Sequence, residues 1–222
     1  MQKRNFPHLS KKAFNKVGDK DKIREIENAG IKNIMALRGD IPQSMINDDR
    51  STWEYTHAIE LICQLKEYDK DFCIGAACYP EIHPESRNQK EDILFLKEKV
   101  DAGCDFLTTQ MFFDNNLLYN FIYRVRKAGI DVPVVAGIMP VTNPKSIKRI
   151  CRISGSALPQ RFIRIVDRYG DNPEAMKQAG IAYATEQIID LYANGVRAVH
   201  VYSMNKPDVA RKIMENISAI IK

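Results

Sequence analysis

Arg38, Gly39 and Asp40 close an apolar run, Asn33-Ile-Met-Ala-Leu37, that follows a helical pattern. Such a run reads as a buried parallel strand, and the residues just past its end stand where α/β proteins carry their chemistry. A guanidinium there is a permanent cation suited to a ring that becomes anionic on reduction. An ionised carboxylate only accepts, so Asp40 suits amino and N–H edges. Gln110, after Phe106-Leu-Thr-Thr109, both donates and accepts and suits the edge of a heterocycle. Other apolar runs end in Tyr79, Glu81, His83 and Glu85, in Asn143, and in Tyr202, Asn205 and Lys206. Polar groups converging from several strand ends are what a barrel active site requires, while the competing reading is that they cap strands and solvate loops.

The elements that would position these residues alternate in kind. Ile23, Ile26 and Ala29 have helical spacing before Gly30, and Ala58, Leu61, Ile62 and Leu65 mark a second helix before the strand Phe72–Tyr79. A third helix, from about Glu91 to Ala102, leads through Gly103 into Asp105–Phe113. Leu118, Phe121, Ile122, Val125 and Ala128 stripe a fourth, which ends at Gly129 before the strand Val132–Pro140. Asn143-Pro144 reads as a helix cap with proline in the first turn. A polar, helix-rich insertion is expected from Ser154 to Ala179, then a long helix through Ile181, Ala184, Ile188 and Leu191, the strand Ala198–Met204 and a short last helix. The recurring unit predicts a parallel sheet of the (β/α)8 TIM-barrel type, and the lack of a glycine-rich phosphate loop disfavours a doubly wound sheet. Eight units of roughly 30 residues need about 240. The chain has five clear strand patterns and a weak one at Asn5–Leu9, so the first two βα units are expected to be missing, leaving open sheet edges that favour a homo-oligomer or a covering partner chain.

Two features leave alternatives open. Gly75-Ala76-Ala77 gives room for a flat ring or for close packing, and Tyr79, Phe112 and Phe113 either stack on a ligand or fill the core. Composition narrows the classes. The 222 residues carry a formal net charge of +5 with basic and acidic residues interspersed, which suits small acidic ligands and argues against nucleic acid. A single domain over 1–222 is expected, with a weakly patterned start at 1–18. No apolar run has the length of a membrane span, and a cytoplasmic setting is expected. Cys63, Cys73, Cys78, Cys104 and Cys151 read as buried free thiols, and neither they nor the histidines show metal-ligand spacing. Arg38-Gly39-Asp40 spells an adhesion tripeptide, which a strand end does not display.

Six ordered stretches carry a resemblance: Ala36-Leu-Arg-Gly-Asp40, Tyr79-Pro-Glu-Ile-His-Pro-Glu85, Leu96–Gly103, Thr109-Gln-Met-Phe-Phe-Asp114, Gly137-Ile-Met-Pro140 and His200-Val-Tyr-Ser-Met-Asn205. In these, from about Lys22 to its last residue, the chain resembles the methylenetetrahydrofolate reductases. These are flavoproteins that reduce 5,10-methylenetetrahydrofolate to 5-methyltetrahydrofolate in one-carbon metabolism, tetrahydrofolate interconversion and methionine biosynthesis. The resemblance implies a barrel with FAD at the carboxyl ends of its strands. Arg38, Gly39, Tyr55, Ala77, Tyr79, His83, Asp92 and Lys99 would lie along FAD. Asp40 would bind the pterin and tune the flavin. Gln110 would serve the folate and the nicotinamide in turn, with Lys206 also at the substrate. Hydride would pass from NADH or NADPH to FAD and then to the folate in a ping-pong sequence.

Departures from the family are equally specific. Lys206 replaces an arginine and loses its bidentate fork, Glu98 stands where some relatives have a basic residue, and Ser146 and Ile150 replace a glutamine and a phenylalanine that face the folate. The glutamate that protonates the folate is not found in the chain, and Asn5–Ser10 resembles the family's third strand. Without a general acid, opening of the folate ring is expected to slow by about 10²–10⁴-fold. The alternative function is a non-catalytic or partner-completed flavin- or folate-binding subunit. A Schiff-base aldolase on the same barrel would need a buried lysine at a strand end, for which Lys206 is the candidate.

Overall fold

The computed structural model describes residues 8–10, 16–37 and 57–221. Strands and helices follow as β1 (His8–Ser10), α1 (Lys16–Asn28), β2 (Asn33–Leu37), α2 (Ala58–Tyr68), β3 (Cys73–Cys78), α3 (Gln89–Asp101) and β4 (Phe106–Thr109). Then come α4 (Asn115–Lys127), β5 (Val134–Ile138), α5 (Pro144–Ser154), α6 (Gln160–Tyr169), α7 (Pro173–Ala193), β6 (Val199–Val201) and α8 (Pro207–Asn216). The sheet order is β1-β2-β3-β4-β5-β6. Pairing is parallel in registers such as His8 with Met35, Asn33 with Cys73 and Ala136 with Val199. Neighbours in sequence are neighbours in the sheet, as in a βα barrel; a doubly wound sheet would reverse its order at a switch point. The fold is therefore α/β of the TIM-barrel type, and the doubly wound alternative falls.

The chain divides into two compact units, Met1–Ala77 with Leu94–Leu107, and Cys78–Ile93 with Thr108–Lys222. In the first unit the middle of β2 is fully apolar and buried, as a strand covered on both faces requires. Helix α2 turns Leu61, Ile62 and Leu65 to the core, while Cys63 is exposed on its opposite face. Asp105 accepts from the Ile74 amide at 2.7 Å and from Lys66 Nζ at 3.0 Å, and Lys66 also donates to the Phe72 carbonyl at 2.7 Å. A Cβ on Gly75 would stand 2.3 Å from the Phe106 ring. The small-residue run at Gly75 thus serves close packing, and Phe106 occupies the space beside it.

In the second unit α4 buries Leu118, Phe121 and Val125, and Met111, Phe113, Met139, Ile147, Phe162 and Met176 share one core cluster. Phe162 stacks on Phe113 with centroids 5.4 Å apart and tilts against Tyr183 at 4.5 Å. Asp190 joins α7 to α4, accepting from Asn115 Nδ2 and from the Tyr119 hydroxyl, both at 2.6 Å. These bonds hold Asp190 below the usual carboxylate range, while burial first and then Asp190 push the Tyr119 phenol up to about 12.

Several expectations need correction. Helix α7 begins at Pro173, inside the stretch read as an insertion, because Asn172 caps it by accepting from the amides of Glu174 and Ala175. Strand β4 stops at Thr109, four residues before Phe113. The chain beyond it is gripped by α7 instead: Tyr183 Oη donates to the Phe113 carbonyl at 2.6 Å and Gln187 Nε2 to that of Phe112 at 3.3 Å. Phe112 and Phe113 are fully buried, so they fill core. Of the cysteines only Cys78 and Cys104 are buried; Cys73 and Cys151 are half-buried. Among the described residues no helix is long and apolar enough to cross a membrane.

Gly180 sits in α7 where a Cβ would come within 1.9 Å of the Val141 carbonyl oxygen, a backbone atom that cannot swing aside. Gly180→Ala is expected to destabilise the protein by about 2–3 kcal/mol. Gly195, at φ +84° with open space around it, provides the control; Gly195→Ala is expected to cost about 1 kcal/mol for its left-handed backbone alone. Urea midpoints of the two variants measure the difference, and equal losses would mean that α7 moves away from Val141 freely.

Candidate functional site

Strand β3 hands the chain to a loop, Tyr79–Asn88, held by side-chain contacts to backbone, by a ring pair and by a side-chain bond to α3. Arg124 Nη2 in α4 donates to the Pro80 carbonyl at 3.1 Å. Glu81 reaches the segment after α5, where its two oxygens lie 3.0 and 3.2 Å from the Ala157 amide. Gly155, left-handed at φ +72° as the C-cap of α5, lets the same segment turn against Pro84. The rings of Tyr79 and His83 meet edge to face with centroids 4.6 Å apart. His83 Nδ1 accepts from the Glu85 amide at 3.1 Å, so in the neutral ring Nε2 carries the proton and acts as a donor. Ser86 Oγ donates to Asp92 Oδ1 at 3.0 Å, tying the first turn of α3 to this loop.

Burial holds Glu81 above the usual glutamate range, partly offset by the Ala157 amide. The Cys151 thiol is pushed up to about 11, chiefly by its own burial and then by the negative charge of Glu81.

Gln110 follows the last residue of β4. Its amide donates to the Cys78 carbonyl at 2.7 Å, and its own Oε1 accepts from the Met111 amide at 3.0 Å. A backbone N–H demands an acceptor, which settles the orientation of the side-chain amide. That leaves Nε2 as the donor side of the side chain. Lys206, the N-cap residue of α8, donates from Nζ to Thr142 Oγ1 at 2.6 Å. It is exposed, which removes the buried lysine that the aldolase reading needed. Just before it Met204 and Asn205 both have positive φ, 50° and 58°, a conformation that costs a non-glycine residue energy and aims the chain from β6 into α8.

Of the residues expected along a cofactor, Arg38, Gly39, Asp40 and Tyr55 lie outside the described residues. In the first unit Lys99 Nζ approaches the Ala77 carbonyl at 3.4 Å. In the second, Tyr79 and His83 touch, Asp92 joins them through Ser86, and Gln110 and Lys206 stand at the exits of β4 and β6. Aromatic faces, an imidazole N–H and an ammonium suit, by their chemistry, a flat ligand that carries phosphates. Sequence reasoning missed Arg124, Thr142 and Ala157, whose contacts to the site run through backbone or across 44 to 76 residues of chain. Among the described residues there is no group of three or more His, Cys, Asp or Glu side chains able to hold a metal ion.

Residues 4–218 match the family model described as methylenetetrahydrofolate reductase. Methylenetetrahydrofolate reductase 2 of Saccharomyces cerevisiae is 36% identical over 204 residues, which is 90% of this chain and 34% of the yeast protein. The 5,10-methylenetetrahydrofolate reductase of Escherichia coli is 35% identical over 194 residues, 87% of this chain and 63% of that one. The chain spans about a third of the length of the plant relatives, as with methylenetetrahydrofolate reductase (NADH) 1 of Arabidopsis thaliana, at 32% identity and 35% of its length. Among solved structures, an uncharacterized protein from Clostridium thermocellum that binds two copies of 5-methyl-5,6,7,8-tetrahydrofolic acid has the same fold. Its TM-score is 0.53 at 14% identity, covering 96% of this chain and 93% of that one.

Glu81 binds the Ala157 amide as an acceptor but bears the cost of a half-buried charge, and the two effects separate by substitution. Glu81→Ala leaves the amide unpaired and is expected to cost about 1–2 kcal/mol. Glu81→Gln keeps the acceptor and removes the charge, so it should match or exceed the wild type at neutral pH. Because the folded pKa is raised, the native state holds the extra proton between the ordinary and the raised value. The penalty is absent below the ordinary value and complete above the raised one. The advantage of Glu81→Gln should therefore grow as pH rises through that window, read from urea midpoints between about pH 4 and about pH 8. A constant difference would contradict the burial of the charge.

Proposed function

The chain belongs to the methylenetetrahydrofolate reductase family, and from that premise we propose that it reduces 5,10-methylenetetrahydrofolate to 5-methyltetrahydrofolate with a nicotinamide donor and FAD. The observation that carries this reading is Gln110, which follows β4 with its side-chain carbonyl accepting from the Met111 amide, so that its amide donors would serve a ligand acceptor. Bound FAD would supply the hydride relay between donor and folate. In the second unit Tyr79, His83 and Asp92 would contact the flavin nucleotide, the His83 imidazole donating from Nε2. In the first unit Ala77 and Lys99 would do so, together with Arg38, Gly39 and Tyr55. Asp40 would accept from the pterin edge. Gln110 would donate to the nicotinamide carboxamide oxygen and then to the pterin carbonyl, two acceptors that alternate at one amide and so require a ping-pong order. Lys206 would give the folate a single positive charge at the β6 exit, with less geometric selectivity than an arginine.

Relatives differ in the donor in their names, NADH in the Arabidopsis thaliana protein and NADPH in a probable reductase of Caenorhabditis elegans. Both nucleotides therefore belong in the test. The visible spectrum of the purified chain is recorded anaerobically with FAD, then with NADH or NADPH, then with 5,10-methylenetetrahydrofolate. Flavin absorbance that bleaches with the nucleotide and returns with the folate is the expected result. Bleaching without return would limit the chain to the first half-reaction and favour a partner-completed flavoprotein. A chain that takes up no FAD would overturn the proposal. In the active case Gln110→Ala should slow both half-reactions by about 10-fold or more, since it removes a donor aimed at the reacting rings.

A further inference from the structure

Three of the stretches that carry the family resemblance meet at one residue beside Gln110. Thr109 Oγ1 accepts from the Gly137 amide at 2.8 Å, and the Thr109 carbonyl accepts from the Tyr202 hydroxyl at 2.8 Å. The Tyr202 amide in turn donates to the Ile138 carbonyl at 2.8 Å, so the ring is anchored on β5 at the end opposite its hydroxyl. Gly137 lies between them with no room for any side chain. A Cβ there would stand 2.3 Å from the Thr109 carbonyl oxygen and 2.6 Å from Tyr202 Cε2. The ring of His200 packs edge to face on Tyr202 at 4.7 Å and limits its swing.

We propose that Tyr202 is a positioning residue for Gln110, acting through the Thr109 carbonyl, with Gly137 as the gap that lets its ring reach across β5. Gln110 and Thr109 share a peptide bond, so the donor that holds the Thr109 carbonyl also fixes the plane from which the Gln110 side chain departs. The hydroxyl crosses from the end of β6 to the end of β4, past β5. Tyr202 touches neither hydride donor nor acceptor in this account; it sets the direction of the amide that does.

The role of Gln110 as a ligand donor rests on the proposed reductase reading, so the test has one arm that needs it and one that does not. In the independent arm, amide hydrogen exchange is compared between the wild-type chain and Tyr202→Phe. Peptides covering Gln110 and Met111 should exchange about three- to tenfold faster in the variant, the worth of one hydrogen bond. Peptides covering residues 207–216 should be unchanged. No acceleration at Gln110 and Met111, or equal acceleration throughout the chain, would overturn the proposal. In the dependent arm, Tyr202→Phe should keep its flavin content while KM for the folate and for the nicotinamide both rise by about three- to tenfold. On a Gln110→Ala background the same substitution should have no further effect. Equal effects on both backgrounds would mean that Tyr202 acts elsewhere and would also overturn it. A wild-type chain without flavin or turnover would sink the reductase reading alone, and the exchange arm would still decide the placement of Gln110.

Discussion

Where β4 stops, the Thr109 carbonyl still needs a donor, and the Tyr202 hydroxyl supplies it from the other side of β5. Parallel strands meet this difficulty at every carboxyl end, because the ladder runs out while the peptide groups remain half-buried. In the second unit the solutions follow one another along the chain. The Cys78 carbonyl takes the Gln110 amide, that of Ile138 takes the Tyr202 amide, and those of Phe112 and Phe113 take side chains from α7. The polar residues at the strand exits are thus of two sorts. Some close the sheet's own hydrogen bonding, and others, such as the Gln110 amide donors in the proposed reaction, would serve a ligand once the backbone is satisfied.

The sequence was most legible where a rule acts within a few residues. Helix boundaries marked by Gly30, Gly103, Gly129 and Gly195 appear at positive φ, and Asn143 caps α5 by accepting from the Lys145 amide with Pro144 in the first turn. Legibility failed where a contact spans the chain. Gly75 reads equally as room for a ring or as close packing, and only the Phe106 ring decides. Asp105–Phe113 is apolar enough for a nine-residue strand, yet α7 lies seventy residues onward and takes the second half of it. The start of α7 was hidden for a different reason: its first turns are polar, and Pro173 and Asn172 look as much like a loop as like a cap. The candidate site was legible in its types through family likeness at Tyr79, His83, Gln110 and Tyr202, while Arg124 and Ala157, which hold the loop after Tyr79, have no local signature.

Charge contributes little to this architecture. The ion pairs formed by Arg161 with Glu186, Lys177 with Asp208 and Lys212 with Glu215 join side chains that are about half exposed or more. Pairs of that kind are worth a fraction of a kcal/mol each and weaken in salt. Lys66 with Asp105 differs because both partners also bond the backbone, so the pair organises the approach to β4 rather than decorating a surface. The neutral and half-buried contacts carry the second unit: aromatic packing of Phe113, Phe162 and Tyr183, and hydroxyl or amide groups bonded to carbonyls.

That distribution bears on how a site of this kind can serve two ligands in turn. In the proposed reaction the Gln110 amide would receive a nicotinamide and later a pterin, so its direction would have to be set beforehand by the protein. A charged partner would fix it strongly but would also compete for the ligand and titrate. The Met111 amide and the Tyr202–Thr109 bond are neutral and do not titrate near neutral pH, since burial raises the Tyr202 phenol well beyond its ordinary range. Glu81 is the exception that keeps to the rule. It is a carboxylate, but it is spent on the Ala157 amide after α5, where its partial burial tunes the hold of the loop that follows Tyr79.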